Sequence, residues 1–113
     1  MSLEDIGETL KDILGKVGKP KDGRKVVATA GTRVPLADPT PALFVIITGE
    51  TDNTDFVTVG GERVIGALAT REGTPLGAAD GAGFFCKDLS DFWLDAVVSG
   101  EGVTYTYWPP SGD

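Results

Sequence analysis

Phe92-Trp93-Leu94-Asp95-Ala96-Val97-Val98, then Ser99-Gly100-Glu101-Gly102, then Val103-Thr104-Tyr105-Thr106-Tyr107-Trp108: this stretch decides the fold class. In its first part Phe92, Leu94, Ala96 and Val98 alternate with Trp93, Asp95 and Val97. In its last part Val103, Tyr105 and Tyr107 alternate with Thr104, Thr106 and Trp108. Successive side chains of a strand point to opposite faces, so a period of two marks strands with one face buried. The glycine-bearing link between them predicts that the two strands form a hairpin.

Upstream the chain repeats this grammar. Further extended segments are expected at Lys25–Thr29, Thr32–Leu36, Leu43–Thr48, Phe56–Val59 and Phe84–Lys87. Turn-forming runs separate them: Asp38-Pro39-Thr40-Pro41, Glu50 to Asp55, Gly60-Gly61 and Gly73 to Gly83. Sixteen glycines and seven prolines in 113 residues suit short strands joined by many turns. About seven such segments predict an all-β domain, a small antiparallel sandwich or barrel.

The N-terminus follows a different period. Ser2 and Asp5 form a capping pattern, and Leu3, Ile6, Leu10, Ile13 and Val17 recur at spacings of three and four, with Leu14 widening the stripe. This predicts a short amphipathic helix over 1–17, weakened at Gly7 and Gly15 and ended by Gly18 and Pro20. A helix of about 15 residues is marginal alone in water, so its stripe must be buried against the β-domain or against sister copies. Residues 18–25 carry no apolar side chain and read as a linker. The expected organisation is therefore a helix over 1–17, a linker over 18–25, a β-domain over 26–108 and a tail over 109–113.

Charge is unevenly placed. Residues 1–25 hold six Lys/Arg and five Asp/Glu, whereas 26–113 hold four and twelve, within a net charge of −7. Such an acidic body repels phosphate backbones, so no nucleic-acid partner is expected. No run reaches the ~18 apolar residues of a membrane span, and no secretory signal is present, so no membrane partner is expected and synthesis in a cytoplasm is.

Catalytic signatures are scarce. The chain has no histidine, which removes the commonest general base, histidine-activated nucleophiles and histidine metal ligands. The lone Cys86, beside Phe84 and Phe85, reads as a buried thiol and cannot form a cysteine-rich zinc site. Glu50 to Asp55 offers oxygen ligands, but a calcium loop needs Gly at its sixth position and Glu at its twelfth, and Asp55 and Gly61 stand there. No glycine-rich phosphate cradle precedes a helix. No enzyme, metal or cofactor is expected. Asp91 and Asp95 would flank Trp93 on one strand face, which reads as a polar outer face and, alternatively, as a carbohydrate platform. Trp93 and Trp108 are candidate contact anchors, because Trp and Tyr dominate interface hot spots.

Several segments carry a resemblance: Thr29-Ala30-Gly31-Thr32-Arg33-Val34-Pro35-Leu36, Phe44-Val45-Ile46-Ile47, Val57-Thr58-Val59-Gly60-Gly61, Gly73-Thr74-Pro75-Leu76, Asp88-Leu89-Ser90-Asp91, and Ser99 through Tyr105. Over about Val27 to Trp108 the chain resembles small bacteriophage virion proteins, the β-sandwich pieces of capsid decoration, head fibres or tails. The resemblance implies a non-catalytic decoration or cement protein located on the virion. Its partners would be its own copies and the major capsid protein or another virion protein. A trimer is the expected oligomer, although two short mixed heptads allow dimers through tetramers. A tail or head-fibre component and a carbohydrate-binding module are the alternative readings.

Overall fold

The structure, a computed structural model, describes residues 15–111. Eight strands run along it: β1 (Lys21–Val26), β2 (Val34–Pro35), β3 (Phe44–Gly49), β4 (Val57–Gly60), β5 (Thr74–Leu76), β6 (Gly81–Phe85), β7 (Trp93–Ala96) and β8 (Gly102–Trp108). They pair antiparallel in two four-stranded sheets, β1-β8-β3-β6 and β2-β7-β4-β5. The all-β expectation holds, and the architecture is sandwich-like. Among the described residues the helical elements are two 3-10 turns, Leu68–Thr70 and Leu89–Asp91, and Gly15 is helical in backbone.

Alternation explains the core. In β3, Val45 and Ile47 are fully buried while Ile46 between them is exposed. Val103 joins them from β8, and Val57, Val59, Leu94 and Ala96 come from the other sheet. Leu76 of β5, with Val27, Leu36, Ala42 and Leu89 from the connections, completes one cluster. Each fully buried Val, Leu or Ile contributes about 1.5–3 kcal/mol of transfer free energy, and this burial is what chiefly holds the sheets together.

Four expectations need correction. The link Ser99–Gly102 does not make a hairpin: β7 pairs with β2 and β4, and β8 with β1 and β3, so the chain crosses between sheets there. The link bonds to Val27 instead, with Gly100 N donating to Val27 O at 2.8 Å and Val27 N donating to Glu101 O at 2.9 Å. Gly100 at φ +89° makes the turn without a Cβ penalty. Alternation reports which face a residue takes, not which sheet it joins.

The expected linker is partly strand. Residues 21–26 pair one for one with β8, from Lys21 opposite Tyr107 to Val26 opposite Gly102. A ladder of backbone hydrogen bonds needs no apolar side chains when the strand lies at a sheet edge. The Tyr105 side chain fills the space above Gly23, where a Cβ would come 2.3 Å from Tyr105 Cζ.

The tail is paired too: Pro110 bridges Val17, and Ser111 N donates to Lys16 O at 2.7 Å. The β-domain thus runs from Val17 to Ser111 rather than from 26 to 108. Val17, expected on the helical stripe, is a bridge residue because that bridge takes its backbone. Leu3, Ile6, Leu10, Ile13 and Leu14, with the rest of the expected helix through residue 14, lie outside the described residues.

Candidate functional site

The two sheets differ on their outer faces. On β2-β7-β4-β5 the segment from Gly61 to Gly73 folds back over the strands. Thr58 and Asp95, paired across β4 and β7, point away from the core yet are buried beneath it. Asp95 anchors this flap: its carboxylate accepts from Gly66 N at 2.8 Å and Gly31 N at 3.0 Å, and from its neighbour Ala96 N at 2.9 Å. Val64 packs in behind, and Ile65 bridges Glu72. Arg71 lies 5.0 Å from the Phe56 ring centre, a cation–π contact.

On β1-β8-β3-β6 the outer face carries aromatic side chains instead. Phe44 stands in register between Trp108 of β8 and Phe85 of β6. Its ring centre is 5.0 Å from that of Phe85 at 62°, and 5.8 Å from that of Trp108 at 50°. Edge-on and tilted rings at such distances gain about 0.5–1.5 kcal/mol beyond their buried area. Phe44 reaches sideways over Gly83, where an added Cβ would come 2.6 Å from Phe44 Cζ. Ile46 extends the patch, and Phe85 is 89% exposed. Thr106 donates to Asp22 at 2.8 Å and Arg24 pairs with Glu50 at 2.7 Å, giving the β1 side a polar margin.

Glu101 and Asp88 bond within the scaffold. Glu101 is buried and accepts from Thr54 N, Thr54 Oγ1 and Asp55 N. The Thr54 backbone bond is the main cause of its carboxyl titrating below the ordinary glutamate range. Asp88 accepts from Thr40 N, Ser90 N and Ser90 Oγ, and the Thr40 bond leads in lowering its pKa. Burial, then the charges of Asp91 and Asp88, push the Cys86 thiol up, away from the thiolate that reactive cysteines need.

The residues singled out from sequence fall in different places. Trp108 belongs to the aromatic face. Trp93 is half-buried on the other sheet, between Pro35 and Gly60 in register. Asp91 ends a 3-10 turn ahead of β7 rather than sharing its strand direction, and Asp95 is only 4% exposed. The three therefore do not make one open platform, because the flap covers Asp95. Phe44 and Phe85 were missed as contact residues: the first was read within an apolar strand, the second beside a buried thiol. The signal available was parity, since Gly81, Gly83 and Phe85 share one strand face opposite Ala82, Phe84 and Cys86.

Surface hollows offer little chemistry. One of ≈ 480 Å³ lies between Val17, Lys19, Lys21 and Pro109–Ser111, another of ≈ 380 Å³ among Gly60–Val64, Glu72 and Gly73. Among the described residues no three His, Cys, Asp or Glu side chains come together as a metal site, and no helix is long and apolar enough to cross a membrane. What the aromatic face can do is bury apolar area against another surface. No family model, curated protein or solved structure matches the chain.

Proposed function

We propose that this protein is a non-catalytic structural module that works by docking its aromatic sheet face on a larger assembly. The observation that carries this reading is the Phe44–Phe85–Trp108 cluster, held in strand register on a face that no other described segment covers. Contiguous exposed apolar groups mark interaction sites, and buried aromatic anchors carry most of an interface's energy. The resemblance read from the sequence supplies the assembly: a phage particle, with the chain acting as a decoration or cement protein. Binding of this kind stabilises only the assembled shell, by mass action.

The test uses purified particles of the phage that produces the chain. The protein is expected in regular stoichiometry on the particle, and particles made without it should open at lower temperature. A Trp108→Ser variant should fold yet bind chain-depleted particles about tenfold or more weakly. Particles that lack the chain, or that are equally heat-resistant without it, would contradict the reading.

A further inference from the structure

Each sheet edge invites pairing by another strand, and proteins blunt edges with lysine, proline or short length. Three of the four edges here are blunted. β1 carries Lys21, Asp22, Arg24 and Lys25. β2 is two residues long and contains Pro35, and β5 is three residues long and contains Pro75. β6 has none of these devices: it reads Gly81-Ala82-Gly83-Phe84-Phe85.

The backbone of β6 has a free side. Cys86 N donates to Leu43 O, and Gly49 N to Asp80 O, so the even-numbered residues along β6 bond to β3. In an antiparallel ladder the alternate residues then turn their N–H and C=O groups away. These are Gly81, Gly83 and Phe85, and no described segment bonds to them.

We propose that β6 pairs with β6 of a second copy, antiparallel about a two-fold axis at Gly83. In that register Gly83 faces Gly83 of the other copy and Phe85 faces its Gly81. All are outward-bonding positions, so each pair exchanges two N–H···O=C bonds and no free edge group is left over. The side chains agree with the register. Phe85, 89% exposed, comes to lie over a glycine, a cross-strand arrangement in which an aromatic ring covers the bare backbone. A Cβ at Gly81 would come 3.2 Å from Thr48 Oγ1, a tight contact, so the backbone there is left bare beside Thr48.

Asp80 and Lys87, both exposed, flank the two ends of β6. Antiparallel self-pairing brings the Asp80 end of each copy to the Lys87 end of the other, with Cys86 in register opposite Asp80, whereas parallel pairing would bring like-charged ends together. The product is one continuous sheet, β1-β8-β3-β6-β6-β3-β8-β1, with both aromatic clusters on the same face. An isologous edge contact of this kind closes on itself and does not grow into fibres.

This inference stands apart from the docking reading, since a dimer can form whether or not its face meets a shell. The test is the solution mass of the full chain by light scattering across a wide concentration range. Twice the chain mass is expected. Phe85→Lys gives β6 the charge that protects β1, and should weaken the dimer about thirtyfold or more. Gly81→Pro removes one outward N–H at the first residue of an edge strand, where proline is tolerated, and should weaken it similarly. Lys21→Ala on β1 should leave the mass unchanged, and circular dichroism checks that each variant folds. A monomer at every concentration would overturn the proposal, whether β6 lies bare or takes a strand from another protein. A trimer, or a dimer that both β6 variants leave intact, would overturn it too, placing self-association elsewhere, such as on residues 1–14.

Discussion

The two sheets share one core but finish their outer surfaces in opposite ways. β2-β7-β4-β5 is closed by its own chain: the Gly61–Gly73 flap covers it, Asp95 ties the flap down, and both edges are short and contain proline. Among the described residues nothing covers β1-β8-β3-β6, whose Phe44, Phe85 and Trp108 point outward and whose edge strand β6 carries no charge or proline. Buried polar groups must find partners within the chain, whereas exposed apolar ones gain by finding them outside it. The closed sheet therefore stores stability, and the open sheet is the one that would gain by contact with another surface.

The largest effect that would sharpen this contrast lies on the closed sheet. Asp95→Ala leaves the buried Gly66 amide of the flap, and the exposed Gly31 amide, without their carboxylate acceptor, at a cost of about 2–3 kcal/mol. For a domain of this size that lowers Tm by roughly 10–20 °C, measurable by scanning calorimetry. Protease sensitivity should rise first between Gly61 and Gly73. An unchanged Tm would mean that the flap does not depend on Asp95.

Next comes Glu101, where the chain crosses from one sheet to the other. Its pKa is lowered in the folded state, so its stabilisation is complete above the free glutamate range and is lost as pH falls through the depressed value. Glu101→Gln should cost about 1–2 kcal/mol at neutral pH. It should also flatten the acid limb of a stability–pH curve, which urea titrations would trace. An acid limb as steep as in the wild-type chain would remove Glu101 from that role, leaving Asp88, which is shifted in the same direction.

The smallest effect on stability belongs to the open sheet, and there smallness is the point. Phe85→Ser should cost no more than about 1 kcal/mol of unfolding free energy when measured dilute, because the ring is almost wholly exposed and keeps only its edge contact with Phe44. If β6 pairs as proposed, the variant should lose, at high concentration, the extra stability that such pairing would give the wild-type chain. A loss above about 2 kcal/mol in dilute solution would make Phe85 a fold residue and break the contrast.

How far the residues revealed this is uneven, for physical reasons. Strands β3, β7 and β8 were legible because each has one buried and one outward face, which writes a period of two into the sequence. β1 was not, because an edge strand bonded through its backbone can be charged along its length, as Lys21-Asp22-Gly23-Arg24-Lys25 is. β5 and the Gly81–Gly83 part of β6 were hidden by glycine and proline between Gly73 and Gly83, which read as turn, while Phe84 and Phe85 fell within the expected segment Phe84–Lys87. The supposed hairpin failed because Ser99–Gly102 bonds to Val27, a partner distant in sequence. Of the site, Trp108 was legible from its parity, but its neighbours Phe44 and Phe85 come together only through the β8-β3-β6 register.

The central claim is that the open sheet completes itself through β6 of a second copy. Amide hydrogen exchange at Gly81, Gly83 and Phe85, read by nuclear magnetic resonance at several protein concentrations, tests it most directly. The account predicts slow exchange at high concentration that becomes fast on dilution, while the Val45 and Ile47 amides of β3 stay slow throughout. Fast exchange at these three amides at every concentration, or slow exchange that dilution does not relieve, would contradict it.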